Sequence, residues 1–380
     1  MPATSEKTGR YLDVIHKISP QLEEIADRSE ETGEFPWAAF ELMNEHGLFK
    51  LTMPTEWGGE GMSASEYFPL MAEIAKISGV LRMLIHGQNG TWRMIHGFGT
   101  EEQKREWLPR QVAGAIFSMA LTEPGGTGRG LATTAVLEGD EWVINGEKHL
   151  ISFSQEAEVV HVIAATGRDE TGGAIASAIL VPKGTPGQIM TRMAPGMGCH
   201  GSTHYHITYE NVRVPAANLL GTQGDGLEIS LRCMLDISRV SIGYSALGLA
   251  LRSFELAVEF AKQRVTLGQP IANRQAIRLA IGEMAADIYS VQAALADTCA
   301  RFDEGRSITA EAAMTKLQAL EMVGRVTDRA LRIHGGVGYL KMHKIERHYR
   351  DARALWFEEG TAEIQKFVIA DQILHHGHAL

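Results

Sequence analysis

The sequence of 380 residues predicts a mainly α-helical, α+β protein in which a β domain separates two helical regions. The hydrophobic period along the chain changes twice, from three or four residues to two and back again. The length also suits two or three domains of about 150 residues each. We therefore expect an N-terminal helical domain over 1–117, a middle β domain over 118–224 and a C-terminal helical bundle over 225–380.

Amphipathic segments justify both helical regions. In the first region, Phe68, Met71, Ile74 and Ala75 lie on one face of a helix. In the last region, the apolar positions of 281–302 are spaced alternately three and four residues apart; they are Ile281, Met284, Ile288, Val291, Leu295, Cys299 and Phe302. Such spacing puts a continuous apolar stripe against neighbouring helices, which predicts a long bundle helix.

The middle region contains strand and turn signals. Val159–Ala165 is uniformly apolar, as in a buried strand, and His204–Tyr209 alternates between apolar and polar residues. We expect turns at Gly139-Asp140 and at Asn145-Gly146, because these residues tolerate positive φ and favour hairpins. The region from about Ala120 to Asn218 should therefore form a β domain of about a hundred residues.

The composition excludes several classes of function. The 36 Lys and Arg against 46 Asp and Glu give a net charge of −10, without the basic clusters that bind nucleic acid. No apolar run reaches the length of a membrane span. The N-terminal segment is too acidic for a transit peptide and too polar for a secretory signal. Because Cys199, Cys233 and Cys299 have neither disulfide nor metal-site spacing, we expect a cytoplasmic protein without a metal site.

Three glycine-containing motifs are candidates for ligand binding. Leu121–Gly130 is dense in glycine, so its N–H groups could approach a phosphate or a flavin; a surface loop is the alternative. Arg332–Gly338 follows a helical run and suits either a helix C-cap or a ligand contact. In Glu358-Glu359-Gly360-Thr361, the glutamate before a helix is either a general base or an acidic residue that the helix dipole favours.

The order of these motifs resembles that of the acyl-CoA dehydrogenase family, and the likeness covers nearly the whole chain. The similar segments are Thr122–Gly125, Met197–Ser202, Asn211–Pro215, Asn218–Gly221, Leu235–Arg239, Arg264–Ile271, Ile333–Gly338, Arg350–Ala352 and Glu359–Gln365. The resemblance implies an N-terminal helical domain, a middle β-barrel or sandwich domain and a C-terminal four-helix bundle, assembled as a homotetramer or homodimer.

The resemblance also implies a reaction. Family members use FAD, bound between the bundle and the β domain, to dehydrogenate an acyl-CoA thioester between its α- and β-carbons. An electron-transferring flavoprotein then accepts the electrons. Glu359 matches the family's base, which takes the α-proton while a hydride leaves the β-carbon for flavin N5. The resemblance also implies that the N–H of Glu359 and a ribityl hydroxyl of the flavin donate to the thioester carbonyl oxygen. A base for so weak an acid needs a raised pKa, which burial beside an apolar acyl chain supplies.

Further site residues follow from the same resemblance. Those expected at FAD are Met119, Leu121, Thr122, Gly128, Leu150, Ser152, Arg264, Thr266, Gln275, Arg332, Gly335, Gly336, Thr361 and Glu363. Among these, Arg264 and Thr266 should reach the pyrophosphate of an FAD that is bound mainly by another subunit, and Gln275, Arg332, Gly335 and Gly336 should lie along its adenosine half. Those expected at the substrate are Asp236, Arg239 and Gly360. Further candidates for the acyl pocket are Met83, His86, Gln88, Met94 and Leu355.

The sequence departs from the family around the flavin. A serine, an aspartate, a tryptophan and two glutamines of the family are replaced; the replacing residues are Gly128, Arg129, Leu150, Arg332 and Glu363. An unusual acyl group is therefore one hypothesis. An oxygen-using acyl-CoA oxidase and a non-catalytic subunit of the same fold are the alternatives, although retention of Glu359 favours an active enzyme.

Overall fold

The computed structural model describes residues 5–125, 130–232 and 235–378. The helices are α1 (Glu6–Thr32), α2 (Trp37–Glu45), α3 (Ala64–Ile77), α4 (Gly79–Gly90), α5 (Trp92–Phe98), α6 (Glu101–Val112), α7 (Leu235–Gln263), α8 (Gln275–Asp303), α9 (Thr309–His334), α10 (Ile345–Ala354) and α11 (Ala362–His375). The predicted order of a helical, a β and a second helical region is confirmed. None of these helices combines the length and apolarity that a membrane span requires.

The strands of the middle region form one open sheet. They are β1 (Phe117–Ala120), β2 (Thr134–Glu138), β3 (Glu141–Ser152), β4 (Val159–Arg168), β5 (Ala174–Pro182), β6 (Gln188–Arg192), β7 (His204–Pro215) and β8 (Leu219–Leu220). They pair in the order β6-β7-β3-β2-β4-β5-β8, with β1 parallel to β4. The pairing of these described strands does not close into a barrel. Two further short strands, β9 (Val265–Thr266) and β10 (Gln269–Pro270), form a hairpin after α7.

Of the two expected turns, one is confirmed and one is wrong. Gly139 has φ 64° and lies in the tight turn between β2 and β3. At Asn145-Gly146, however, β3 continues, and its register with β7 shifts between Ile144 and Gly146, which is a bulge. A Cβ on Gly146 would lie 2.5 Å from Thr133 Cα, so this glycine allows a close approach of two backbones rather than a chain reversal.

The sheet separates two cores. One face packs against the N-terminal helices, where Trp92 and Trp107 meet Phe117 and Ile163. The other face encloses the β domain's own core; it includes Ile144, Val162, Ile179, Ile207 and Val214. Because residues of one strand alternate between these faces, the two cores use alternate positions of β4.

Helix α7 connects the N-terminal helices to the bundle. Residues 237–250 of α7 are buried on all sides, between α3 and α9. A Cβ on Gly248 would lie 2.3 Å from Ala72 O, so this position lets α3 and α7 approach closely. The predicted apolar stripe of α8 is buried at Met284, Ile288 and Leu295. The second half of the chain is therefore a helical bundle fused to the first helical region.

Candidate active site

The loop between α10 and α11 carries Glu359. Its backbone is unusual, because Glu359 has φ 51° and the following Gly360 has φ 86°. Such a conformation strains a glutamate and persists only where surrounding contacts fix it. Helix α11 begins immediately afterwards, with Thr361 at its N-cap. The loop is therefore held in one defined shape by the residues packed behind it.

Lys316 on α9 supplies those contacts. Its side chain is completely buried, and its Nζ donates hydrogen bonds to the carbonyl oxygens of Glu358 (2.5 Å), Glu359 (3.1 Å) and Gly360. Gln365 on α11 is also buried and donates to the Glu359 and Gly360 carbonyls at 3.2 and 3.0 Å. Burial lowers the pKa of Lys316 to about 8, even though the charges of Glu359 and Glu358 raise it.

The Glu359 carboxylate lies near several charged side chains but forms no ion pair or hydrogen bond with a described residue. Burial raises its pKa above the ordinary 4.5, and the negative charge of Glu358 acts in the same direction. The cations of Lys316, Arg239 and Arg82 oppose that rise. No hydrogen bond joins this carboxylate to any of the residues described. The arrangement suits a carboxylate that accepts a proton from a ligand.

A buried ion pair lies next to the base. Arg82 on α4 is 1% exposed, and its two terminal nitrogens each lie 2.5 Å from an oxygen of the Glu358 carboxylate. One of these nitrogens also lies 3.9 Å from Cys199 Sγ, whereas Arg82 Nε is buried without a partner among the described residues. The pair connects the N-terminal helices to the loop of Glu359, over 276 residues of sequence.

Two histidines near this pair are neutral. Burial lowers the pKa of His86 on α4 to about 4, and the charge of Arg82 adds to the effect. Burial also lowers the pKa of His204 at the start of β7, against the influence of Glu358. Both imidazoles therefore stay uncharged at neutral pH and can donate or accept one hydrogen bond at each nitrogen.

The residues expected at the flavin ring lie together at one edge of the β domain. Ser118 Oγ donates to Ser152 O at 2.8 Å, and the His149 N–H donates to Thr122 O at 2.8 Å. These contacts hold the end of β1, with Met119, Leu121 and Thr122, beside Leu150 and Ser152 of β3. Ser152 also pairs with His204 in the sheet, and the negative charge of Glu358 raises the pKa of His204. The expected ring site and Glu359 are thus parts of one region.

The residues expected at the far end of FAD gather at another place. His334 stacks on Phe260 with ring centroids 4.4 Å apart, which holds Gly335 and Gly336 near the end of α7. The β9–β10 hairpin begins at that end, so Arg264 and Thr266 lie on the same side of the bundle. Thr266 Oγ1 accepts a hydrogen bond from Arg274 at 2.7 Å.

The remaining expected residues are more scattered. Gln275 and Glu363 are exposed in the first turns of α8 and α11, and the exposed Arg332 forms an ion pair with Asp328. Asp236 accepts hydrogen bonds from Arg239 at 2.9 Å and from Thr309 at 2.6 Å. Gly128 lies outside the described residues.

The acyl-pocket candidates separate into two groups. His86 lines a cavity with Tyr67, Phe68 and Ile237. The other candidates have structural contacts: Gln88 donates to Ala115 O at 3.1 Å, while Met83, Met94 and Leu355 pack in the cores.

The described residues fit a flavin dinucleotide. Leu150 has φ 57° and a side chain that is 54% exposed, which gives an apolar surface at the ring end. At the other end, no atom lies within 4 Å of the positions that Cβ atoms of Gly335 and Gly336 would occupy. Backbone with open space above it, near an exposed arginine, suits a phosphate and its nucleoside.

Sequence reasoning did not identify Arg82, Lys316 or His204 as site residues. Lys316 does have a signal, since it lies four positions after Ala312 and three before Ala319, on an apolar stripe. A lysine on such a stripe is buried only where acceptors surround it. Arg82 and His204 have no comparable local signal, because their partner Glu358 is far away in sequence.

Comparisons with known proteins agree with this geometry. The chain matches the family models for the acyl-CoA dehydrogenase N-terminal domain over residues 15–115, the middle domain over 118–212 and the C-terminal domain over 224–374. It is 39% identical to the probable acyl-CoA dehydrogenase YngJ of Bacillus subtilis, over 94% of each chain. It is 37% identical to the acryloyl-CoA reductase (NADH) of Anaerotignum propionicum, over 96% of this chain and 95% of that one.

Among solved structures, the butyryl-CoA dehydrogenase of Megasphaera elsdenii superposes with a TM-score of 0.93 at 28% identity. The likeness covers 98% of this chain and 99% of that one. The expected fold class, with a helical, a β and a second helical domain, is therefore confirmed by an experimental neighbour as well.

Proposed function

Because the chain belongs to the acyl-CoA dehydrogenase family and is an FAD-dependent oxidoreductase of that family, we propose that Glu359 removes the α-proton of a short acyl-CoA thioester. The observation that carries this proposal is the Glu359 carboxylate itself. Burial raises its pKa, no described residue bonds to it, and its loop is fixed by Lys316. Bound FAD supplies the acceptor for the hydride that leaves the β-carbon.

The protein's own groups then have separate tasks. Glu359 accepts the proton from the α-carbon. Its raised pKa reduces the difference between its own pKa and the much higher pKa of the α-carbon, which eases the proton transfer. The positive charges of Lys316 and Arg239 oppose the rise in the pKa of Glu359 and so favour the ionised carboxylate that the reaction needs. The β1 and β3 residues around Thr122 and Leu150 would support the ring. The region around Arg264 and Gly335 would hold the pyrophosphate and adenosine of an FAD that is bound mainly by another subunit.

The acyl group that fits beside Glu359 is short. The ion pair of Arg82 and Glu358, with His86 and His204 around it, occupies the space next to the base. Arg82 is buried, but a quarter of the Glu358 side chain is still exposed. A long apolar chain would have to cover that remaining carboxylate surface, which costs desolvation free energy without a compensating hydrogen bond.

An acidic acyl group is disfavoured for a related reason. Both terminal nitrogens of Arg82 already bind Glu358. A substrate carboxylate could bind Arg82 only by displacing Glu358, and the displaced charge would then lie unpaired beside Glu359. A short neutral acyl group meets neither obstacle. The solved relative from Megasphaera elsdenii, named for butyryl-CoA, agrees with this size.

Anaerobic titration of the purified yellow protein with butyryl-CoA tests the base. The wild-type flavin should bleach, whereas Glu359→Gln should keep its FAD and bleach on the order of 10²–10⁴-fold more slowly. Glu358→Gln is the matched control: its amide oxygen can still accept from Arg82, and it should still bleach. Wild-type bleaching rates in Glu359→Gln, or loss of bleaching only in Glu358→Gln, would contradict the assignment.

The same preparation separates the alternatives. Rapid peroxide formation when the reduced protein meets air would favour an acyl-CoA oxidase. A colourless protein that takes up no added FAD would favour a non-catalytic subunit. Slow reaction with air and fast reaction with an electron-transferring flavoprotein would support the dehydrogenase and the partner that we propose for it.

Chain length is tested by replacing the ion pair as a unit. In Arg82→Met/Glu358→Leu both charges are removed, so no buried charge is left unpaired. We expect octanoyl-CoA to become a better substrate relative to butyryl-CoA by at least about tenfold in kcat/KM. The control is Arg213→Met/Glu138→Leu, which removes an exposed pair of the β domain. Equal use of both esters by the wild type would contradict the size limit.

We also propose a homotetramer or homodimer. Large apolar side chains of the second helical region are exposed; they include Tyr339, Met342, Phe357 and Phe367, each at least two-thirds exposed. An interface between subunits would cover such side chains. Light scattering after gel filtration should give a mass at least twice 41.6 kDa, and a monomer would contradict this.

A further inference from the structure

Lys316 uses all of its hydrogen-bonding capacity on one short piece of backbone. An ammonium group has three N–H donors, and the carbonyls of Glu358, Glu359 and Gly360 are three acceptors. Lys316 is completely buried, so no water competes for these donors. Three successive carbonyls therefore converge on one charge, and the positive φ values of Glu359 and Gly360 make that convergence possible.

This convergence has a consequence for the N–H groups of the loop. In a trans peptide the carbonyl and the N–H point in opposite directions, and no cis peptide is found among the described residues. When the Glu358 carbonyl faces Lys316, the Glu359 N–H faces away from it; the Glu359 carbonyl fixes the Gly360 N–H likewise. Neither N–H donates to another described residue. Two free donors thus point away from Lys316, next to the Glu359 side chain.

We infer that Lys316 is a positioning residue. By binding the Glu358 and Glu359 carbonyls, it fixes the direction of the Glu359 N–H, which the family resemblance already implies as a donor to the thioester carbonyl, and of the Gly360 N–H beside it. The oxygen of that thioester carbonyl gains negative charge as the α-proton leaves. The inference rests on the proposed function, since it needs Glu359 to be the base. Donors that are already oriented stabilise a developing oxyanion without the cost of reorganisation. The fixed lysine charge also favours the ionised form of Glu359, so the same residue serves the proton acceptor and the oxyanion donors.

The charged groups around Lys316 set its pH behaviour. Glu358 and Glu359 face it from the loop, Arg239 faces it from α7, and Gln365 on α11 shares its acceptors without a charge. If Lys316 loses its proton, it keeps at most two donors for three carbonyls. We therefore expect the wild-type kcat to fall as the pH rises through about 8, where burial has moved the Lys316 pKa.

Lys316→Met in the holoenzyme tests the inference with butyryl-CoA as substrate. We expect kcat to fall on the order of 10²–10³-fold, as when an oxyanion donor is lost, with a smaller change in KM. The acidic limb of the pH profile of kcat/KM should move to higher pH, because a cation that lowers the pKa of Glu359 is gone. A purely structural role would not move that limb.

Two further variants complete the test. Lys316→Gln keeps two donors, so its kcat should decrease less than that of Lys316→Met. This variant still tests the inference if Lys316→Met does not fold. Lys76→Met on α3 removes a lysine that binds Glu73 and Glu255 far from the loop, and it should leave kcat unchanged.

The outcomes separate the two proposals. If the wild type bleaches with butyryl-CoA but Lys316→Met keeps its kcat and its pH profile, the positioning role is wrong while the base assignment stands. If no acyl-CoA ester that is added bleaches the flavin of the wild type, the proposed function itself fails.

Discussion

Lys148 in the β domain and Lys316 in the bundle are both completely buried lysines, yet they bind different partners. Lys148 Nζ lies 2.7 Å from a carboxylate oxygen of Glu123, whereas Lys316 donates to backbone carbonyls beside Glu359. The carboxylates behave in opposite ways. Burial would raise the pKa of Glu123, but the hydrogen bonds from Lys148, Ala132 and Thr133 and the charge of Lys148 together outweigh burial, and the pKa is lowered. The pKa of Glu359 is raised by burial.

The difference shows what separates a structural carboxylate from a base. Glu123 also accepts hydrogen bonds from the N–H groups of Ala132 and Thr133, at 2.7 and 3.0 Å. With Lys148, three donors therefore bind this carboxylate, at both of its oxygens. It joins the chain after β1 to β2 and β3, beside the expected flavin site. The charge of Lys316 lowers the pKa of Glu359 without a hydrogen bond to its carboxylate, so the carboxylate oxygens stay available to a ligand. Because Lys316 binds the backbone carbonyls of the Glu359 loop and not the carboxylate, Glu359 stays able to accept a proton from a substrate.

The largest effect is expected where the carboxylate depends directly on its lysine. Lys148→Met leaves Glu123 buried without its counter-ion, which should lower the free energy of unfolding by about 3–5 kcal/mol. Urea denaturation followed by fluorescence measures the loss. Glu123→Leu/Lys148→Met removes both charges and should recover much of it, although two N–H groups then lack an acceptor. An undiminished loss in the double variant would show that the hydrogen bonds to Ala132 and Thr133 matter more than the charge.

The pH dependence of activity should distinguish the two carboxylates next. Glu359 must be ionised to accept a proton, so kcat/KM should fall about tenfold per pH unit below its pKa. Because burial raises that pKa, the fall should begin above the ordinary value of 4.5. Rates of flavin bleaching across a pH series measure the profile. A midpoint at or below the ordinary value would mean that Glu359 is bonded to a cation, as Glu123 is.

Stability should respond to pH with opposite signs at the two sites. A raised folded-state pKa gives stability at low pH that is lost as pH rises through that pKa, so Glu359→Gln should be more stable than the wild type at neutral pH. The lowered pKa of Glu123 gives stability at neutral pH that is lost as pH falls through it.

How much of this contrast was predictable from sequence depends on distance along the chain. The alternating and helical periods predicted the order of helices and strands, because secondary structure depends on near neighbours. The same local signals failed at Asn145-Gly146, since residues that tolerate positive φ suit a bulge as well as a turn. The resemblance of 359–365 to a known family proposed Glu359 as the base.

The surroundings of that base were not predictable in the same way. Arg82 reaches Glu358 across 276 residues, and only the packing of α4 against the loop brings them together. The partners of Lys316 are backbone carbonyls. Because every residue has a backbone carbonyl, the sequence does not show which of them binds this lysine. A buried lysine could be suspected from the apolar stripe of α9, but its acceptors could not be named.

The smallest effect is expected when the neutral partner of the same loop is removed. Gln365 binds the Glu359 and Gly360 carbonyls alongside Lys316, but its amide carries no charge. Gln365→Leu should reduce kcat by roughly two- to tenfold, the effect of about one neutral hydrogen bond, and should leave the pH profile in place. Steady-state kinetics with butyryl-CoA measures both quantities, and Gln263→Leu at the exposed end of α7 is the control. A loss as large as that in Lys316→Met would mean that orientation alone matters, and that the charge of the buried lysine contributes nothing to the base.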